Sequence, residues 1–322
     1  MKSYKINFLC LLILTVSFYP FHLAAQVKLD LPVFPVPSLS AFTPPVIKAK
    51  GFDKMYGIDL NVQTKPAGTY RTDFAAGTSK LGGSGTLLAD VAKLNEKGVE
   101  TVFLFNVFDF WGTVVVKADG PIKTLKHLEG RTIAAALPTT NYALFRYFAT
   151  RAGVDLSKVE VQSSPVPGLV PMAASGRVDG VQMWEPAHTV ITYQNNNFRG
   201  LDIVSNWKKE TGFSALPYLG IAAHRDWVDA NGDLILKLYK IYKVATNFIL
   251  QNPEKAAKII SDSSKGKLKK NVLVSLIRSD RLGINMYWGN KYPDANKAVF
   301  EAAMRINYLK KMPSNKIAYP GP

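Results

Sequence analysis

At 322 residues the chain is long enough for one large domain or two ordinary ones. A hydrophobic share of 47% supplies full cores and excludes the disordered class. Forty Lys and Arg against 24 Asp and Glu give a formal charge of +16, which admits nucleic acid, a membrane surface or an anionic ligand. The densest basic run, Lys265-Gly266-Lys267-Leu268-Lys269-Lys270, is too short for a nucleic-acid arm, so no nucleic-acid partner is expected.

Residues 1–25 have the pattern of an export signal. Lys2 and Lys5 start it, Phe8 to Phe18 is its apolar core, and Ala24-Ala25 offers a small-residue cleavage point before Gln26. The only cysteine, Cys10, falls inside that core, so the exported chain would carry no disulfide, cysteine nucleophile or thiolate metal site. No later apolar run reaches membrane-spanning length.

Alternation over Val27 to Leu31 predicts a strand. The loop through Ser38 and Ser40 leads into a helix from about Thr43 to Lys50, with Pro44 and Pro45 in its first turn. Those two serines are either ligand contacts or caps. A second strand covers Leu60 to Gln63. Phe74-Ala75-Ala76-Gly77 closes a helix, Thr78 to Leu81 is a short strand, and Gly82 to Thr86 is a flexible loop. Arg71 on that helix and Lys80 after it are expected to face water.

Leu87 to Gly98 is a helix, and Thr101 to Val107 a buried strand. Phe108 and Trp111 lie beyond its end and are candidates for a cleft, while Phe103 and Phe105 are core. Thr113 to Lys117 leaves the first half of the chain, and Ile133 to Ala136 is a strand. Thr139, Thr140 and Asn141 are strong cap residues opening a helix that runs to about Ala152. Val159 to Val161 is the next strand, and Val166 to Ser175 a helix stopped by Gly176. Val178 to Met183 is a short strand ended by Pro186, so Trp184 and Glu185 sit at its carboxyl end, where open α/β sheets place ligands. Leu216 to Ala223 crosses back, with Tyr218 near the crossing. Leu234 to Leu250 and Ala295 to Lys311 are helices, and the chain from Pro313 is a loose tail.

The helix–Gly–strand–loop unit thus occurs twice, and by the same grammar Ser84, Gly85 and Thr86 join the candidate contacts. Gly176-Arg177-Val178-Asp179-Gly180 followed by Trp184-Glu185-Pro186 resembles the solute-binding proteins of ABC importers, in the nitrate/sulfonate/taurine and thiamine-precursor group. Leu125 to Ala134 is similar to that family's inter-lobe link, whereas Lys80 stands where the family often has an acid. The resemblance implies a type II-like periplasmic binding protein fold, α/β, with mixed sheets, two lobes and a two-crossing hinge. Residues 26–113 and 220–322 would form one lobe and 114–219 the other. It makes Thr139, Thr140 and Asn141 ligand contacts. It further implies a monomer in the periplasm that passes a small molecule to an ABC permease and ATPase.

No catalytic constellation is found. His127, His188 and His224 stand singly without a partner at metal-ligand spacing. Gly83-Ser84-Gly85 lacks nucleophile-elbow spacing, and there is no phosphate loop or dinucleotide fingerprint, so neither metal nor cofactor is expected. Basic charge and helix-start amides favour a sulfonate-like or taurine-like anion. The aromatics Phe108, Trp111, Trp184 and Tyr218 favour an apolar body, and Glu185 either faces the cleft, which favours an amine or a pyrimidine, or is held by a backbone amide or an arginine. A binding protein feeding a sensor is the alternative function.

Overall fold

The computed structural model describes residues 26–137 and 139–322. Residues 1–25, expected to be an export signal and containing Cys10, lie outside this range. Eleven strands are described: β1 Val27–Val33, β2 Ile58–Thr64, β3 Leu81–Leu87, β4 Thr101–Asp109, β5 Gly112–Lys117, β6 Thr132–Ala135, β7 Glu160–Ser163, β8 Gly180–Trp184, β9 Phe198–Gly200, β10 Pro217–His224 and β11 Ile284–Trp288. The helices are α1 Thr43–Lys50, α2 Phe52–Met55, α3 Ala67–Ala75, α4 Leu88–Glu96, α5 Thr140–Arg151, α6 Leu169–Ser175, α7 Ala187–Gln194, α8 Ser205–Thr211, α9 Arg225–Ala230, α10 Gly232–Gln251, α11 Pro253–Ser263, α12 Lys270–Ile277 and α13 Pro293–Arg305. None of them is long and apolar enough to cross a membrane.

The strands form two groups. β11-β4-β10-β3 is an antiparallel sheet, with the parallel pair β1-β2 lying against β3. β7-β6-β8-β5-β9 is mixed: β6 runs parallel to β7 and β8, and β5 antiparallel to β8 and β9. Consecutive strands β4 and β5 belong to different sheets, so the chain passes between them at Phe110 and Trp111 and returns between β9 and β10.

Most apolar runs became strands because both sheet faces are covered. β4 is buried from Thr101 to Phe108, and Phe103, Phe105 and Phe108 are fully buried. The strand continues through Phe108 to Asp109, two residues past its expected end, and this puts Phe108 into the core rather than beyond the strand.

The largest departure is Leu81–Leu87. A glycine-rich stretch was expected to be a loop, yet all seven residues are buried in β3; of the strand expected over Thr78 to Leu81, only Leu81 is strand and Thr78 to Lys80 form a bend. The glycines serve close approach instead: a Cβ on Gly83 would lie 2.2 Å from the Pro32 carbonyl oxygen of β1. The tail is not loose. Ile317 is buried, Ala318 bridges to Phe103, and the Tyr319 amide donates to the Phe103 carbonyl at 2.9 Å. α13 ends at Arg305, six residues early, and Asn307 then takes a left-handed φ of 59°.

Candidate functional site

Between the two sheet groups lies a cavity of about 260 Å³. From the antiparallel group it is walled by Phe34 after β1, Tyr70, Arg71 and Phe74 on α3, Gly85 and Thr86 of β3, and Asp90, Lys93 and Leu94 on α4; Thr140 comes from the start of α5, and Tyr308 follows α13. Gly85 brings the backbone of β3 close, because a Cβ there would sit 2.8 Å from the Phe34 ring. The Phe34 and Tyr70 rings stand 4.4 Å apart, and the Arg71 guanidinium lies 5.7 Å from the Phe34 centroid. Arg71 is exposed, as expected for a helix arginine, and it also lines this cavity.

The polar wall is a small network. The Thr140 hydroxyl donates to Asp90 Oδ1 at 2.7 Å, and the Tyr308 hydroxyl donates to the same oxygen. Tyr70 and Thr86 share a hydrogen bond of 2.5 Å, and Tyr70 also donates to the Gly83 carbonyl. Burial pushes the Tyr70 and Tyr308 hydroxyls well above the ordinary phenol range, with Asp90 adding to this for Tyr308, so both are neutral donors. Around the one carboxylate, Asp90, stand Arg71, Lys93 and Lys97. Lys93 is tied to Glu96 at 3.0 Å. The cavity therefore has a cationic rim, an aromatic wall and neutral hydroxyl donors, a set suited to holding a small oxyanion that carries an apolar part.

Of the residues expected from sequence, Gly85, Thr86 and Thr140 line this cavity. Ser38 and Ser40 stand next to it in structural roles. Ser38 caps the turn over Leu39–Ala41, the Ser40 hydroxyl accepts from the Phe34 amide at 3.1 Å, and Ser84 donates to the Ser40 carbonyl at 3.0 Å. Thr139 caps α5 by accepting from the Tyr142 amide. Asn141 accepts from the buried Tyr218 hydroxyl, a contact joining α5 to β10 across the two groups.

Trp111, Trp184 and Glu185 gather elsewhere. Trp184 is half-buried against the cluster containing Val181 and Met183. Trp111 packs on His188 with ring centroids 4.8 Å apart. Glu185 is 1% exposed and faces no open cleft. Its Oε1 accepts from Arg281 Nε at 2.9 Å and from the Thr189 hydroxyl at 2.9 Å and pairs with His188 at 3.2 Å, while Oε2 accepts from the Thr189 amide at 3.0 Å. Burial pushes this carboxyl up; the hydrogen bond and charge of His188, the Thr189 amide and Arg281 outweigh it, leaving the pKa below 4.5. His188, in the first turn of α7, thus pairs with the carboxylate that lies just before the helix.

Sequence reasoning passed over Phe34, Tyr70, Asp90, Tyr308 and Arg281. An acid in the first turn of α4 was visible but reads as an ordinary partner of the helix dipole. Nothing in the spacing connects Glu185 with Arg281, which follows it by 96 residues. Among the described residues, no group of three or more His, Cys, Asp or Glu is placed to hold a metal ion.

Solved structures share this fold. The periplasmic aliphatic sulphonate binding protein SsuA from Escherichia coli superposes with a TM-score of 0.72 at 16% identity, over 90% of this chain and 95% of that one. The alkanesulfonate-binding protein SsuA from Xanthomonas axonopodis pv. citri, bound to MOPS, gives 0.68 at 16%, over 89% and 95%. The periplasmic nitrate-binding protein NrtA from Synechocystis PCC 6803 gives 0.66 at 14%, over 88% and 82%. These likenesses show the fold, the mixed α/β fold of periplasmic binding proteins. No curated protein matches the sequence. The family model described as NMT1/THI5 like matches residues 45–256, about two thirds of the sequence, and the chain belongs to that family.

Proposed function

We propose that this protein is the solute-binding component of an ABC importer and binds without turnover. In this reading residues 26–113 and 220–322 form one lobe, 114–219 form the other, and a small sulfonate-like or taurine-like anion is held between them before delivery to a permease. Export to the periplasm through the leader, and a monomeric state, belong to the same reading. The observation that carries it is the 260 Å³ cavity walled from both sheet groups, with Arg71, Lys93 and Lys97 set against a single carboxylate. Similarity to proteins whose names specify sulfonates and nitrate supports an oxyanion.

Native mass spectrometry of gently purified protein identifies any retained ligand, and calorimetry with taurine and hexanesulfonate tests the class directly. Arg71→Ala should weaken binding about tenfold to a hundredfold, the range for losing a hydrogen bond to a charged group. Heat from neither compound, with a pyrimidine bound instead, would replace the sulfonate reading. That second reading has its own support in the flat wall of Phe34, Tyr70 and Phe74.

A further inference from the structure

The basic run between α11 and α12 takes no part in the cavity. Residues 253–270 contain six lysines, 255, 258, 265, 267, 269 and 270, against Glu254 and Asp262 only. All six are exposed. Lys258 is paired with Asp262 at 2.7 Å, and Lys270 shares Glu254 with Arg278 at 3.1 and 3.2 Å. Lys255, Lys265, Lys267 and Lys269 have no carboxylate within ion-pair distance among the described residues.

The loop is built to hold these charges outward. Lys265 and Gly266 both take left-handed φ values, 53° and 74°. The Lys265 amide donates to the Asp262 carbonyl and the Gly266 amide to the Ser261 carbonyl, each at 3.0 Å. Leu268 is buried, and its amide donates to the Ser264 hydroxyl at 3.1 Å, so Lys267 and Lys269 flank an anchored apolar residue. At the other end of α11, Leu250 is exposed, and the Lys50 ammonium lies 5.1 Å over the Phe248 ring.

Lysine is a compact point charge, whereas planar phosphate recognition and base stacking favour arginine and aromatic residues. Lysines without carboxylate partners, held outward on one loop, suit a surface of many diffuse negative charges. We propose that this face docks the protein on an anionic phospholipid bilayer. The docking is independent of which ligand the cavity holds.

A lysine near such a surface is worth about a fivefold gain in partitioning. Salt screens it over a Debye length of about 8 Å at physiological strength. The test is vesicle co-sedimentation of the purified protein at low salt, with vesicles rich in phosphatidylglycerol and vesicles of phosphatidylcholine alone. Binding only to the anionic vesicles is expected. The variant K265Q/K267Q/K269Q should lose about a hundredfold of it and K265E/K267E/K269E more, with unchanged melting temperatures. The control R177E/K208E/K209E makes the same change in net charge on exposed residues elsewhere and should lose less than about fivefold. Equal binding to neutral vesicles, no binding to anionic ones, or equal losses in the control would overturn the proposal. The second of those results would leave an acidic protein surface as the partner for this face.

Discussion

Arg281→Ala tests the buried cluster at Glu185. The arginine supplies one charge-assisted bond to a carboxylate that is 1% exposed, and its guanidinium also lies 5.7 Å from the Trp111 ring. Breaking a buried ion pair by removing one partner costs about 3–5 kcal/mol when the remaining charge is stranded. Here Glu185 keeps His188 and both Thr189 donors, and Arg281 is 32% exposed, so about 2–3 kcal/mol is expected. In a chain of this size that lowers the melting temperature by roughly 3–5 °C at neutral pH. The sign with pH follows from the depressed carboxyl. A group whose folded pKa lies below its unfolded value contributes stability that is full above the ordinary 4.5 and is lost as pH falls through the folded value. The gap between wild type and variant should therefore be full at neutral pH and narrow only as pH falls below the ordinary carboxyl range, through the depressed folded value. In a Glu185→Gln background the same arginine substitution should cost at least about 1 kcal/mol less. Thermal melts across pH on all four proteins measure this. Additive losses, or a gap that does not change with pH, would refute the ion-pair account.

Three further outcomes follow from other contacts. Tyr308→Phe removes a donor to Asp90 and should cost about 1 kcal/mol in a melt while weakening ligand binding in calorimetry; tighter binding would contradict the cavity assignment. Gly83→Ala forces a Cβ against the Pro32 carbonyl and should destabilise by about 1–3 kcal/mol or more. Gly68→Ala on α3, where a Cβ meets nothing within 4 Å, should instead stabilise by about 0.5–1 kcal/mol, and denaturant titrations compare the two.

Much of the fold was legible because burial on both faces writes strands as apolar runs and left-handed glycines write helix stops. Gly51, Gly77 and Gly176 all take positive φ where the sequence places a stop or turn. β3 was misread because a glycine that admits a neighbouring backbone looks, in one dimension, like a glycine that admits flexibility. The tail was misread because Ile317 and Ala318 acquire their meaning only from Phe103, more than two hundred residues earlier. In the candidate site the local signals were readable: a strand end at Gly85 and Thr86, a helix start at Thr140. Their distant partners were not. Asp90 meets Thr140 fifty residues on and Tyr308 only in the C-terminal segment. Glu185 shows the same limit: a cleft role and an amide or arginine partner were both open from its position after a strand, and only the fold brings Arg281 to it from 96 residues on.

The polar contacts joining the two sheet groups have a common form. Thr140 reaches Asp90 and Tyr308, Asn141 receives Tyr218, and Glu185 receives Arg281. Each pairs a side chain from the elements of the mixed sheet with one from the elements of the antiparallel sheet. A single net hydrogen bond is worth about 1 kcal/mol, and a buried ion pair returns little beyond its own desolvation. Together with the packing of Phe110 on Tyr218 and Phe148, these contacts hold the groups together by a modest margin. Under the proposed function that margin is what makes capture possible. A closed state favoured too strongly would admit no ligand, and one too weak would leave the ligand to supply the whole closing energy. Because Thr140 and Arg71 line the same cavity from opposite groups, a ligand touching both adds its contacts only when they are together, which is the differential affinity that closure requires.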